Sequence, residues 1–166
     1  MGGQHSSLQH SQLRRSSTVE GRPPHFIWNV SESVPIGLYR LQPAGRLTVT
    51  ELVAIRPPDP LARFLQSNGY LGIGVPMLKR VLALPGQTVC RTGLTIAVDR
   101  IAMGKARERD GRGRLLPVWQ GCRVVAADDI FLMNWQSADS LDGRYFGPIP
   151  ASSVIGKALP VWTEEE

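Results

Sequence analysis

With 166 residues, 42% of them hydrophobic and 7% aromatic, the chain has the length and composition for one aliphatic core that needs no metal or cofactor to form. The net charge of +5 is gathered at Arg14-Arg15 and between Lys105 and Arg114, where Glu108, Asp110 and glycines interrupt the cations. That composition belongs to a solvated hairpin loop and argues against nucleic-acid binding, while Cys90 and Cys122 are too few and too far apart for a four-ligand zinc site.

In chain order, residues 1–25 are rich in Ser, Gln, Arg and Gly without an apolar run, and read as a disordered polar leader. Short matches to a myristoylation pattern at Met1-Gly2 and to a twin-arginine signal at Arg14-Arg15 read as chance. No stretch approaches the roughly 20 apolar residues of a membrane span. From Phe26 onward the chain alternates short β-branched runs with Gly and Pro, giving strands at 37–41, 47–50 and 52–55. A helix is predicted over 58–68, with Asp59 as N-cap, Pro60 in the first turn and Gly69 as the stop, and with Leu61, Phe64 and Leu65 on one face. Strand-like runs follow at 77–84, 87–90 and 94–98, then the basic loop, a run over 117–125, a strand at 130–134, a Gly- and Ser-rich stretch over 137–147, and a last strand at 154–161. The whole reads as one mostly β domain over 26–166.

The candidate chemistry starts from what is missing. His5, His10 and His25 lie in or at the edge of the leader, so a serine nucleophile in the domain needs another base, and lysine is the usual substitute once its pKa falls toward neutrality. Of Lys79, Lys105 and Lys157, only Lys79 is embedded in apolar sequence: in a strand it shares a face with Met77 and Val81 while Arg80 points away. Lowering its pKa by about three units takes about 4 kcal/mol of bias against the ammonium, within reach of burial alone. The bland alternative is a solubilising cation snorkelling from a strand edge. Ser31 and Ser33, at i and i+2, are expected to share a strand face ahead of Pro35 and Gly37, so that both hydroxyls point into one site; the bland alternative is a Ser-rich strand entry. In 137–147, Asp142 and Arg144 are placed to pair, either bracing a strand or orienting a catalytic group. Cys90 and Cys122 are either two buried thiols or one disulfide, according to compartment.

Taken together and in order, these stretches resemble the signal-peptidase family of Ser/Lys proteases over residues 26–163. Ser31-Glu32-Ser33-Val34-Pro35 is similar to its nucleophile box, Leu78-Lys79-Arg80-Val81 with Leu84-Pro85-Gly86 to its base box, and 140–147 to its final box. Gly147-Pro148 and 113–122 point to the TraF-type branch, the peptidases of conjugative transfer. The resemblance implies Ser33 as acylating serine, Lys79 as its base, Ser31 as an oxyanion donor beside the Ser33 amide, and Ser140 as the group that orients Lys79. It also implies Asp142 and Arg144 in support, a Cys90–Cys122 disulfide and no cofactor. The implied fold is antiparallel coiled β-sheets of the signal-peptidase/LexA-like catalytic domain with one or two short helices. The implied partners are an exported precursor such as a pilin, cleaved or cyclised, and the membrane surface, with a monomeric enzyme on the periplasmic side. Relatives of this kind carry an N-terminal hydrophobic segment where this leader is polar, so a cytoplasmic location stays open. Two alternatives remain: an inactive scaffold that binds pilin or membrane, and a LexA-like self-cleaving protease, which the absence of a preceding DNA-binding helix pair disfavours.

Overall fold

The computed structural model describes residues 25–164, so the predicted leader lies outside them except for His25, which already opens the first strand. In chain order the elements are β1 (His25–Asn29), β2 (Gly37–Gln42), β3 (Leu52–Ile55), α1 (Asp59–Ser67), β4 (Met77–Ala83), β5 (Thr88–Thr92), β6 (Thr95–Val98), β7 (Ile101–Lys105), β8 (Gly121–Val124), β9 (Asp129–Leu132), α2 (Gly143–Phe146), β10 (Ile149–Pro150) and β11 (Val154–Thr163). Seven strands form one antiparallel sheet in the order β1-β2-β11-β3-β4-β9-β10, and four form a second in the order β7-β6-β5-β8. The mostly β, antiparallel expectation with two short helices therefore holds.

The sheet centre follows from the sequence. β3 reads Leu-Val-Ala-Ile and is buried along its whole length, as an interior strand covered on both faces must be. β4 distributes its side chains among three packed groups: Leu78 with Tyr39 and Leu52, Val81 with Val53 and Ile130, and Leu82 and Ala83 with Val89, Ile96 and Phe131 under the second sheet. Each such buried aliphatic side chain contributes about 1.5 to 3 kcal/mol. β2 approaches β11 so closely at its start that a Cβ on Gly37 would lie 2.1 Å from the carbonyl oxygen of Trp162, which only glycine avoids.

Four local expectations need correction. Residues 47–50 turn instead of pairing: the Thr48 N–H donates to the Glu51 carboxylate at 2.7 Å, Thr50 takes a positive φ of 78°, and Lys157 ties Glu51 down at 2.9 Å, so side-chain bonding overrides β-branched propensity. The N-cap of α1 is Pro58, with Asp59 one position later in the first turn, where its charge still favours the helix dipole. Strand β7 was not predicted, because Asp99 and Arg100 both take positive φ in the tight turn before it without a glycine to announce it, and its side chains are exposed or half-buried. Of the run over 117–125, only Gly121–Val124 is strand. The basic loop does form a hairpin, with Arg109 bridged to Leu115, but Arg114 is no free cation: it donates to Asp110 at 2.7 Å and to the Asn68 carbonyl at 2.9 Å at the end of α1.

Cys90 and Cys122 face each other in the β5–β8 register and form a disulfide across a sequence separation of 32. Closing a loop of that length is worth about 3 to 4 kcal/mol on the chain-entropy account. Replacing both cysteines by serine is expected to lower unfolding free energy by about 3 kcal/mol in urea titration, and the disulfide-bonded protein is expected to lose a similar amount on full reduction.

Candidate active site

Ser31 and Ser33 do not lie in a strand. They sit in the turn between β1 and β2, where the chain must reverse before Pro35, and proximity comes from the turn: the two hydroxyl oxygens are 3.2 Å apart and the Ser33 N–H donates to the Ser31 hydroxyl at 3.4 Å. Ser31 is exposed and Ser33 half-buried. Val34 anchors the turn in the core, and the buried Tyr39 donates its hydroxyl to the Pro35 carbonyl at 2.5 Å.

Lys79 lies mid-way along β4 opposite Val53, with only 5% of its surface exposed. The expected alternation holds, since Val81 is buried and Arg80 is half-buried, turned to the Thr50 carbonyl at 3.1 Å. Burial drives the Lys79 amine down from 10.5 to about 8; Asp142 opposes the shift and the Arg144 cation adds to it. Its Nζ donates to the Ser140 hydroxyl at 2.8 Å, across a sequence separation of 61. A neutral amine has two N–H groups and one lone pair, so giving one hydrogen to Ser140 fixes the nitrogen while leaving the lone pair free.

Ser140, Asp142 and Arg144 are all buried, and they build the floor under that amine. Asp142 caps α2: its carboxylate accepts from the Arg144 N–H at 3.2 Å and from the Asn134 N–H at 3.0 Å. Burial raises its carboxyl above the usual carboxylate range, against the pull of Arg144 and Lys79. The Arg144 guanidinium lies 3.2 Å from that carboxylate and spends its fork on main chain, donating to the carbonyls of Asn134 and Ser137 at 2.7 Å each and of Lys105 at 3.3 Å. It thereby clamps the loop that delivers Ser140. Gly143 makes room for the clamp, because a Cβ there would lie 2.6 Å from the Leu132 carbonyl oxygen.

Sequence reasoning missed Asn134. Buried two residues beyond β9, it accepts from the Arg80 N–H at 2.8 Å and donates to the Leu78 carbonyl at 3.1 Å, so its amide replaces a strand neighbour on both sides of Lys79. Its position beside an apolar strand was the only available signal. Asn134→Ala leaves both backbone groups without a partner and is expected to cost about 2 kcal/mol, read from the urea midpoint at unchanged slope.

Ser31, Ser33 and Lys79 open on one cleft of about 970 Å³. Its wall carries apolar side chains, Trp28, Val30, Val75 and Leu78 among them, together with the charged Arg107, Arg109 and Asp110. The Ser33 hydroxyl is bonded to Ser31 and the Lys79 amine to Ser140, so nucleophile and base candidates meet at the cleft without bonding each other. The Cys90 and Cys122 strands back this arrangement from behind: buried Arg91, next to Cys90, donates to the Arg144 carbonyl at 2.7 Å, and Trp119 donates to the Gly143 carbonyl at 3.0 Å.

An antiparallel β scaffold that seals one lysine amine under a peptide-sized cleft with two turn serines at its rim has the parts of a peptidase. Comparison with known proteins bears out that class: the family model for signal peptidase, peptidase S26, matches residues 19–163. The chain belongs to that family. It is 37% identical over 145 residues to a probable conjugal transfer protein TraF of Sinorhizobium fredii, covering 81% of this chain and 76% of that one. It is 35% identical over 156 residues to the conjugal transfer protein TraF of Agrobacterium fabrum, covering 89% and 88%. Among solved structures, a signal peptidase I from Enterococcus faecalis aligns at a TM-score of 0.41 and 18% identity, covering 69% of this chain and 97% of that one.

Proposed function

We propose that the protein is a serine endopeptidase that uses a Ser33/Lys79 dyad to process exported precursors in conjugative transfer. The observation that carries the reading is the sealed Lys79 amine, lowered to about 8 by burial and opening on the same cleft as Ser33. Neutral Lys79 takes the Ser33 proton as Oγ bonds to the substrate carbonyl carbon, and the carbonyl oxygen becomes an oxyanion facing the Ser33 N–H and the Ser31 hydroxyl. The Lys79 ammonium then returns that proton to the departing amine as the C–N bond breaks, leaving an ester on Ser33. Water attacks the ester with Lys79 again as base, releasing a carboxylate and free Ser33; a peptide amine in place of water gives transpeptidation, the route to a cyclised pilin. Ser140 holds Lys79, and Asp142 with Arg144 holds Ser140.

The TraF relatives, conjugal transfer proteins by name, support conjugation as the setting; a pilin precursor is the substrate of this reading. Beside the cleft, Trp28 and Trp162 stack at 5.8 Å and are more than half exposed together with Phe26 and Val161, an apolar rim suited to a membrane surface. Among the described residues no helix is long and apolar enough to cross a membrane. The enzyme works as a monomer on the periplasmic side, where a disulfide persists. The test is acid-quench mass spectrometry during turnover of a pilin-precursor peptide. An acyl adduct on the fragment containing Ser33, absent in Ser33→Ala, is the expected result; undiminished cleavage by Ser33→Ala would overturn the assignment.

A further inference from the structure

A nucleophile placed in a turn must be held there by something other than sheet pairing. Within residues 30–35, the stretch that carries Ser33, the backbone holds itself by no more than one weak turn at Glu32–Ser33, with no backbone-to-backbone hydrogen bond of good geometry. One side chain takes over that task. Asn29, the last residue of β1 and the register partner of Gly37, is 8% exposed and folds its amide into the turn. Its nitrogen donates to the carbonyls of Ser31 at 2.8 Å, Pro35 at 3.2 Å and Val34 at 3.3 Å, and its oxygen accepts from the Ser31 N–H at 3.1 Å.

Two amide hydrogens serve three carbonyls, so one is shared, and the acceptors lie on both sides of Ser33 without including it. The carbonyl two residues before Ser33 and those one and two residues after it are thereby drawn to one point. The bulge of chain between them is forced toward the cleft, with the Ser31 hydroxyl brought to 3.2 Å from that of Ser33. Among the described residues, no other side chain donates to carbonyls on both limbs of the turn, since Tyr39 holds only that of Pro35.

We infer that Asn29 is a positioning residue for acylation, setting the place of the Ser33 hydroxyl through the turn backbone. The inference rests on Ser33 being the nucleophile. A hydroxyl displaced by about 1 Å loses about 100-fold in rate. Asn29→Leu keeps the shape and removes every bond. Asn29→Asp keeps the acceptor for the Ser31 N–H and turns the donor into a second carboxylate oxygen facing three carbonyls. Both variants are therefore expected to fail in the same step.

The experiment uses the full chain and a serine-reactive phosphonate ester, with the adduct mapped by mass spectrometry and amide exchange followed over residues 30–36. The expected result is labelling at Ser33 in the unaltered protein and saturating rates about 30- to 100-fold lower in both variants. The half-saturating probe concentration stays within about twofold, the alkaline rise of the labelling rate stays at the same pH, and exchange in the turn quickens. A merely structural residue would change the folded fraction and leave the rate per folded molecule alone. Equal saturating rates, or a weaker probe affinity at an unchanged saturating rate, would overturn the inference. An unaltered protein that is not labelled, or a Ser33→Ala variant that is labelled equally, would instead sink the nucleophile assignment and the inference with it; should Asn29→Leu not fold, Asn29→Asp carries the test alone.

Discussion

Lys79→Met is expected to abolish peptide cleavage, by at least about 1000-fold, while making the protein more stable at pH 7. The two effects come from one cause. The amine titrates near 8 in the folded chain against 10.5 in its unperturbed state, so holding it protonated inside costs about 3 kcal/mol. Below pH 8 both folded and unfolded chains carry the proton and that cost is fully present; between about 8 and 10.5 the unfolded chain binds a proton that the folded one does not, and stability of the unaltered protein rises with pH. Methionine fills similar volume without charge, and Asp142 keeps Arg144 as its counter-ion. The gain is therefore about 2 to 3 kcal/mol at pH 7 and shrinks as pH passes from 8 to 10.5. Urea titrations at pH 7 and 10 check this; a variant less stable than the unaltered protein at pH 7 would mean that Lys79 is held as one half of an ion pair. With Lys79 as the proposed base, kcat/KM of the unaltered protein is expected to rise through about pH 8 as that amine loses its proton.

Arg144→Met is expected to be the most damaging single change outside the dyad. It removes the counter-ion of a buried carboxylate and strips the carbonyls of Asn134, Ser137 and Lys105 of their donor. Breaking such a pair from one side costs about 3 to 5 kcal/mol, a large part of a domain's whole stability. Arg144→Lys keeps the charge, yet a single ammonium does not span carbonyls that a planar fork reaches, so it is expected to recover less than half of the loss. Whatever folds of Arg144→Met also reports on the base: Arg144 pushes the Lys79 amine down, so its removal moves the rise of kcat/KM to higher pH, while Arg144→Lys leaves that rise close to its original place. A urea midpoint unchanged in Arg144→Met would refute the clamp.

The parts of the site that the sequence made legible are those whose signal is local. Lys79 stood out because its strand is apolar on either side, and burial on β4 follows from that pattern. Ser140, Asp142 and Arg144 were readable as a polar group in a glycine-rich stretch, and the structure gathers all three beneath Lys79. Ser31 and Ser33 were found for a reason that did not hold: the two hydroxyls meet through a turn, and period-2 alternation has no part in it. Asn29 and Asn134 were illegible. Each is an ordinary amide in the chain: the partners of Asn29 lie within six residues but come within reach only once the turn has folded, and those of Asn134 lie on another strand, 56 residues away at Leu78. The same holds for residues 47–50, where Glu51 and the distant Lys157 decide the backbone path over the preference of Leu-Thr-Val-Thr for extended structure.

The place of β11 in the large sheet has a consequence in time. Although it is the last strand in chain order, it pairs with β2 on one side and β3 on the other, and so lies between the half that leads out of the Ser33 turn and the half that carries Lys79. A ribosome delivers β1 through β4 long before it delivers β11, and until then nothing in the main sheet bridges those halves. Ser33 and Lys79 thus stay apart on a nascent chain, and in the proposed reading the completed fold is the first species that brings nucleophile and base to one cleft. In that reading, synthesis itself acts as the safety catch.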